Sequence, residues 1–314
     1  LTLSLSVPLR WTGYTGVGFS RISVNPSLSI IYKLNYAWRF TAHASYKERY
    51  GEMTDLYDRP YQTDYRNSVW NCGILPVYRQ QLYSVYGEYK NTAREFFATV
   101  NLTHNREWYN RIYEQRIENG QVQRVSLPLS NHGSGYTVKS TLSKGFYDLG
   151  LKTSFLALLN ISKAEQSSGG QRLPYQYRLM RLEPKVIWTP NRHWETSYQT
   201  DIRYGGNKIG ERTRLAPLWN VTQQVQLSYI FSPIEASLSV DHYHNDVNED
   251  QSVNAVFADF SVLWKSRRWQ ITATATNLFD KRTYAYTRYA SLESYTSWVR
   301  IRPREFLVAI RYRL

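Results

Sequence analysis

REFLVAIRYRL, residues 304–314, carries an apolar or aromatic side chain at every second position: Phe306, Val308, Ile310, Tyr312, Leu314. Arg311 and Arg313 stand between them. Because successive side chains of a β-strand point to opposite faces, this stretch predicts a strand with one apolar and one charged face. Two faces of such different character must meet different surroundings.

The same period of two recurs along nearly the whole chain. Apolar residues alternate with polar ones in 1–7, 149–161, 225–231 and 269–275, among other segments. About fourteen such segments can be counted, and none shows a helical period of 3.6 residues. The pattern predicts an all-β protein.

The predicted strands are joined by short and long connections in strict alternation. The short ones are turns of two or three residues, such as 35–36 and 232–233. The long polar ones cover about 9–25, 49–76, 106–133, 164–176, 206–219, 246–253 and 281–302. Membrane barrels have short periplasmic turns and long extracellular loops, whereas a soluble sandwich has no reason to alternate them.

Aromatic residues lie beside the predicted short turns. The chain holds 10 Trp, 27 Tyr and 11 Phe. Seven of the large ones flank short turns: Trp38, Phe146, Trp188, Trp194, Phe231, Trp264, Trp269. A row of aromatics at one level is typical of the membrane interface.

Together these patterns predict a transmembrane antiparallel up-and-down β-barrel with about 14 strands in residues 1–314, which form a single domain. A closed barrel leaves no unpaired backbone groups in lipid. No run of ~18 apolar residues predicts a transmembrane helix. Pro184 falls inside a predicted strand, where a bulge or a shifted boundary is expected because proline cannot donate a ladder hydrogen bond.

Charge and cysteine content narrow the function classes. The formal net charge is +14, but the basic residues are scattered and form no nucleic-acid motif, so nucleic acid is not predicted as a partner. Cys72 is the single cysteine, which rules out an internal disulfide. The sequence starts with Leu1 rather than Met, so we expect it to be a processed or partial chain.

The segment Asn277-Leu278-Phe279-Asp280-Lys281, followed by Tyr284, closes the penultimate strand. Arg302-Pro303-Arg304-Glu305-Phe306 then begins the last strand. This arrangement resembles the C-terminal end of TonB-dependent outer-membrane receptors, in a style most like those of Bacteroidota. The terminal alternation likewise resembles the assembly signal of outer-membrane barrels, which usually ends on Phe rather than on Leu314. The strong resemblance covers 264–314.

The resemblance implies the C-terminal part of a barrel of about 22 strands, with the N-terminal plug domain and first strands absent from residues 1–314. It implies energised uptake of a scarce solute through a plugged barrel in the bacterial outer membrane. Implied partners are TonB, the plug, membrane lipids and lipopolysaccharide, a surface lipoprotein, and a small-molecule, glycan or peptide substrate. No cofactor is implied.

Two other functions stay open at this point. A self-contained 14-stranded passive outer-membrane channel or porin-like transporter would need strand 1–7 to pair with strand 306–314. A barrel scaffold with working loops is a further alternative. An enzyme is not predicted, because no triad or carboxylate pair has a spacing that demands chemistry, and the closely spaced His242 and His244 are expected to face outward.

Alternation assigns a set of charged residues to the barrel interior. The predicted lumen-lining residues are Arg39, Lys139, Lys152, Arg181, Glu183, Glu195, Asp201, Arg203, Glu235, Asp241, Asp259, Arg311. Aromatic residues in the long loops offer rigid area with a polar tip, which suits binding surfaces. The predicted loop-binding residues are Tyr57, Tyr61, Trp70, Trp108, Tyr109, Tyr286.

Overall fold

The computed structural model describes residues 1–15, 18–118, 120–210, 213–214, 216–248, 250–290 and 293–313. It contains 23 strands, numbered here β1 to β23 in chain order. One group forms a continuous wall: β1 (Thr2–Ser6), β4 (Ser27–Lys33), β5 (Trp38–Tyr50), β8 (Val77–Asn91), β9 (Phe96–Tyr109), β12 (Asn131–Phe146), β13 (Leu151–Ser168), β14 (Gln171–Asn191), β15 (Trp194–Ile209), β17 (Leu218–Phe231), β18 (Ile234–Asp246), β19 (Ser252–Lys265), β20 (Trp269–Thr276) and β23 (Glu305–Tyr312).

The remaining strands lie in the long connections: β2 (Leu9–Tyr14), β3 (Phe19–Val24), β6 (Tyr61–Gln62), β7 (Asn67–Trp70), β10 (Ile112–Glu118), β11 (Gln121–Leu127), β16 (Thr213–Arg214), β21 (Thr283–Ala290) and β22 (Glu293–Arg300). Two short 3-10 helices occupy Met53–Leu56 and Tyr147–Leu149. Within the described ranges, no helix is long and apolar enough to cross a bilayer.

The wall strands pair antiparallel, each with its neighbour in the order just given. The prediction of an up-and-down sheet with about fourteen strands is confirmed. Among the described residues, β1 pairs only with β4 and β23 pairs only with β20 within the wall, so the sheet has two open edges. Leu3 and Val308 on these edges are 66% and 64% exposed.

The register sorts the wall side chains into two faces. Opposed residues such as Leu227, Leu238 and Phe260 share the outer face across β17, β18 and β19. Their neighbours Ser228, Ser237 and Ser261 share the inner face. The outer face is therefore an exposed apolar band that suits contact with lipid, while the inner face is mostly polar.

The short turns lie on one side of the wall and the long connections on the other, as predicted. One predicted long loop is wrong. Residues 164–176 are mostly strand, because β13 and β14 continue as a hairpin until the turn at Gly169 and Gly170. These glycines have φ of 58° and 76°, a backbone region open to glycine without strain. The sequence did not predict this extension because polar residues occupy both faces of the two strands there.

The expected bulge at Pro184 is also wrong. Pro184 pairs with Phe155 in continuous register on the β13 side. On the β15 side the register is the same at Leu182 and at Lys185, and only the pairings between them are interrupted. The β14–β15 ladder thus accommodates the missing N–H of Pro184 by a local gap in the pairing. The register shift of this strand pair lies further on, between Trp188 and Asn191.

Aromatic pairs mark both margins of the apolar band. Beside the short turns, Trp194 packs on Tyr229 with ring centroids 4.6 Å apart, and this confirms the predicted lower row. At the other margin, which the sequence reading missed, Tyr204 packs on Trp219 at 4.8 Å. Positions 194 and 204 share one strand, and ten residues at ~3.3 Å each, tilted by ~40°, span ~25 Å of bilayer.

Candidate lumenal site

The last long connection folds back onto the inner face of the wall. Its hairpin consists of β21 and β22, and β21 lies against β15, β17, β18 and β19. The Asn245 side-chain amide donates to the Ala285 carbonyl at 3.2 Å, and the rings of Tyr243 and Tyr284 lie 5.2 Å apart. Ala285 is fully buried. This connection was expected to form a long extracellular loop. It instead folds into the barrel and narrows the lumen.

Asn277, the first residue of the Asn-Leu-Phe-Asp-Lys segment, fixes the base of this hairpin. Its Nδ2 donates to the carbonyls of Lys281 and Arg302, each at 2.8 Å, and its Oδ1 accepts from the Lys281 N–H at 2.9 Å. Its own N–H donates to Asp259 Oδ1 at 2.8 Å. Asn277 thus joins the two ends of the connection to the wall, in a left-handed conformation that Asn tolerates (φ 51°).

Asp280 completes the same turn. Its carboxylate accepts from Arg282 Nη2 at 2.8 Å and from the Arg304 N–H at 3.0 Å. These donors, with that of Arg282 the strongest, hold the pKa of Asp280 below its usual range. The segment that carries the family resemblance therefore acts structurally, by closing the base of an inward hairpin.

An open cavity of about 450 Å³ lies between the hairpin and the wall. Wall side chains supply charge and amide groups, and the hairpin supplies aromatic area. The lining includes Tyr177, Arg181, Asp201, Arg203, Asn220, Thr222, Tyr284 and Tyr286. Rigid aromatic rings beside polar groups suit a hydrophilic ligand that also offers flat or apolar surface.

One carboxylate organises the charges in this cavity. Asp201 accepts a two-pronged contact from Arg181, with Nε to Oδ1 and Nη2 to Oδ2 both at 3.0 Å. Arg203 Nη2 donates to the same Oδ2 at 2.6 Å, and Arg181 also contacts Glu183. Two cations thus balance two anions. The Arg203 side chain is still 52% exposed, which leaves N–H donors free for oxygen-rich ligands.

A second cavity, of about 520 Å³, lies at the mouth on the long-loop side. Glu107 supports one wall by accepting from Tyr78 at 3.1 Å, from Asn105 at 3.0 Å and from Tyr109 at 2.8 Å. Across from it, the guanidinium of Arg124 lies 3.6 Å from the ring centroid of Tyr113. The mouth therefore offers pre-positioned tyrosines and a stacked cation.

Glu114 pins the hairpin formed by β10 and β11 to the wall. Its carboxylate accepts from Arg116 Nε at 2.8 Å, from Ser167 Oγ at 2.7 Å and from the Gly170 N–H at 3.1 Å. These donors, led by Arg116, hold the pKa of Glu114 below its usual range. We call this hairpin the cap. Its residues Ile112 and Val125 are almost fully buried, so the cap has a small core of its own.

The strand register places all twelve predicted lumen residues on the inner face. Arg181, Glu183, Asp201 and Arg203 come together as a cluster of ion pairs. Arg39 instead pairs with Glu88 at 2.7 Å, and Glu235 pairs with Lys265 at 2.6 Å. A role in lining a solute path stays a prediction for the whole set.

The terminal-strand residues Phe306, Val308, Ile310 and Tyr312 share the outer face of β23, and Leu314 lies outside the described residues. Their role in assembly stays a prediction. The register continues the outer face through Ala273 and Ile271 of β20.

The six predicted loop-binding residues do not form one surface. Tyr57 and Tyr61 contact each other with centroids 6.2 Å apart, and Trp70 Nε1 donates to Asp58 Oδ1 at 3.1 Å in the same loop. Tyr109 lines the mouth cavity and Tyr286 the lumenal one, whereas Trp108 faces outward. Sequence reading did not single out Asn220, Thr222 or Arg124, because nothing local marks a residue that a distant hairpin will cover.

Metal and nucleophile sites find little support in the described part of the chain. No group of three His, Cys, Asp or Glu side chains there has a metal-binding arrangement. His244 Nε2 lies 3.4 Å from Asp246, and its Nδ1 lies 2.8 Å from Asn254 Oδ1. Burial raises the pKa of the Cys72 thiol, which disfavours the reactive thiolate.

No protein-family model and no curated protein matches this chain. Solved structures do. The FrpB iron transporter from Neisseria meningitidis superposes with a TM-score of 0.50 at 9% identity, over 84% of this chain and 44% of its own. The siderophore receptor PirA from Acinetobacter baumannii gives 0.40 at 8% identity, over 81% and 52%. A FadL homologue from Pseudomonas aeruginosa gives 0.31 at 8%, over 95% and 80%.

The likeness to FrpB shows the fold, which is that of an outer-membrane β-barrel. This chain spans less than half the length of FrpB and about half that of PirA. The apolar outer band between two aromatic rows fits the same location in the outer membrane.

Proposed function

We propose that this chain forms the C-terminal part of the wall of a TonB-dependent outer-membrane receptor, which takes up a scarce solute through a plugged barrel. The observation that carries the proposal is the open sheet, in which no pairing joins β1 to β23 among the residues that the structure describes. An edge left open in hydrocarbon exposes unpaired N–H and C=O groups at a cost of several kcal/mol each. Further wall strands satisfy both edges and widen the barrel enough to hold a plug.

The lumenal cavity adds a role for this part of the wall. Arg203 presents donors, and Tyr284 and Tyr286 present ring faces on a hairpin fixed at its base. The ligand is therefore a hydrophilic solute rich in oxygen atoms: an iron chelate, a cobalamin, a glycan or a peptide. The partners of the protein are the plug, TonB and a surface lipoprotein. The protein acts as a transporter and not as an enzyme.

The test uses cells in which the full-length protein that contains this chain is the sole route for a labelled solute from each class. We expect saturable uptake of one class that stops when TonB is deleted. The variant R203Q should weaken this uptake, while the control R39Q, which also removes an ion-paired arginine from the inner face but lies outside the lining of the cavity, should not. Non-saturable uptake that continues without TonB would instead identify a passive channel and overturn the proposal.

A further inference from the structure

A column of uncharged polar side chains leads from the lumenal cavity towards the short-turn side of the wall. Successive inward positions of β17 all carry amide or hydroxyl groups: Asn220, Thr222, Gln224, Gln226 and Ser228. Asn220 and Thr222 line the cavity, and Ser228 lies close to the short turn at 232–233. At ~3.3 Å per residue, the column is ~26 Å long. The cavity therefore continues into an uncharged polar path along the wall.

Serine residues on the next two strands widen this column. Ser239 is opposite Gln226, and Ser237 is opposite Ser228. Ser261 is opposite Ser237, and their hydroxyl oxygens lie 2.7 Å apart. Within the described residues, the side chains of Gln226, Ser228 and Ser239 have no hydrogen-bond partner, so their polar groups are available to the lumen. We call this surface the neutral tract: Gln224, Gln226, Ser228, Ser237, Ser239 and Ser261.

The wall beside the neutral tract is basic. Lys185 is opposite Gln199, which is opposite Gln224 of the tract. Lys139 and Lys152 lie on the inner face of β12 and β13. In the part of the chain that the structure describes, the ion pairs of the inner face involve other side chains, so these three lysines have no carboxylate partner. The inner face thus changes from cationic to uncharged within two strands, or ~10 Å.

This change of charge decides how firmly the wall holds a body inside the barrel. A hydrogen bond with a charged partner is roughly twice as strong as one between neutral groups. A plug is therefore held more firmly on the lysine side, and its contacts with the neutral tract separate first. Passage of a solute also requires contacts that are weak and repeated, because the solute must leave each one. Interchangeable amide and hydroxyl groups at intervals of ~6.6 Å meet this requirement.

We propose that the neutral tract is the route along which the solute leaves the lumenal cavity, between the wall and the plug. This inference rests on the function proposed above. The portion of the solute that contacts the tract is uncharged and carries hydroxyl or amide groups, which exchange one hydrogen bond for the next. The lysine side keeps its contacts with the plug while the solute passes.

Cysteine labelling in cells tests this route. In a C72S background of the full-length protein, S239C lies in the tract, and S154C is the matched control because Ser154 is opposite Lys185 on the inner face. A membrane-impermeant maleimide is applied from outside, with or without a mixture of ferric citrate, cobalamin, maltoheptaose and a hexapeptide. We expect the mixture to accelerate labelling of S239C at least about ten-fold when TonB is present, because the contacts there open locally. Labelling of S154C should stay slow.

A second arm separates transport from binding, with each of the four solutes labelled in turn. S239K places a cation in the tract and should lower the maximal rate of TonB-dependent uptake about ten-fold, while binding of the same solute at the cell surface keeps its Kd. S154K adds a cation beside Lys185 and should change neither quantity. Heat-modifiable migration in gels verifies that each variant is folded.

The outcomes distinguish the route from the transport function itself. TonB-dependent uptake with accelerated labelling at S154C, at both sites equally or at neither site would overturn the route and leave the proposed function standing. Unchanged uptake in S239K would overturn the route as well. Rapid labelling of both sites in cells without TonB would identify an open channel and overturn both proposals.

Discussion

Asn277 is a single side chain that holds a whole hairpin in place. It makes three side-chain hydrogen bonds, and two of them satisfy the carbonyls of Lys281 and Arg302. Each such bond contributes ~1 kcal/mol, and a buried carbonyl left without a donor costs more. The residue is 6% exposed, so water cannot easily substitute.

We therefore expect N277A to release β21 and β22 from the wall, with a loss of ~2–4 kcal/mol in local stability. Hydrogen exchange of amides 283–300 should accelerate, while amides of β17 keep their protection. N248A is the matched control, since Asn248 is exposed and its side-chain hydrogen bonds to described residues stay within its own loop. Unchanged exchange in N277A would show that the hairpin is held by its contacts with the wall instead.

Glu114 gives the cap a dependence on pH. Its pKa is lowered in the folded state, so the folded cap binds fewer protons than the unfolded one, and stabilisation is present above the ordinary carboxyl pKa of ~4.3. It is lost as the pH falls through the lowered folded pKa. The side chain is nearly buried, and the three donors lose their charged acceptor on protonation.

E114Q should imitate this loss at every pH. We expect amides of β10 and β11 to exchange about ten-fold faster in E114Q than in the parent protein at pH 7. The difference should disappear in acid, where both side chains are neutral. A difference that persists once acid has protonated Glu114 in the folded protein would mean that the shape of the side chain matters and its charge does not.

At the scale of elements, the inward hairpin shields one patch of the lumen. Asn220 lies beneath it, whereas Gln226 on the same strand and the same face lies nearer the short turns. In a C72S background, N220C should react slowly with a membrane-impermeant maleimide. Replacement of residues 283–300 by a short flexible linker should raise its labelling rate about ten-fold, while Q226C serves as the control. Equal rates before and after the replacement would contradict the proposed shielding.

The wall itself could be predicted from sequence because a period of two is a local signal. It assigned Arg39 and Asp259 to the same face although they lie far apart in the chain, and the register agrees. The direction of the hairpin could not be predicted, because strands 283–290 and 293–300 alternate whether they extend outward or fold inward. The cluster around Asp201 was partly foreseen as inward charge, but its cover by Tyr286 depends on that unpredicted fold.

At the scale of the whole molecule, the open edges lead to a prediction that distinguishes a closed 14-stranded barrel from the larger receptor barrel. In a closed 14-stranded barrel, β1 and β23 would be neighbours, and a disulfide would form between suitable outward positions. We expect the pairs L3C/V308C and L5C/V308C, in a C72S background, to stay reduced in the full-length protein. The control A273C/V308C should oxidise, because Ala273 is directly opposite Val308. Oxidation of an edge pair would establish the closed barrel and exclude further wall strands between β1 and β23.

The two aromatic rows set more than a position in the membrane. The pairs of Trp194 with Tyr229 and of Tyr204 with Trp219 are held by the same two strands, so their separation of ~25 Å cannot adjust. An apolar band of this fixed height matches a thin bilayer. In a thicker bilayer the lipids beside the protein must compress or the wall must tilt. Each ångström of mismatch costs a fraction of a kcal/mol. Membrane thickness therefore acts as a sorting force on this protein, independent of any solute or partner.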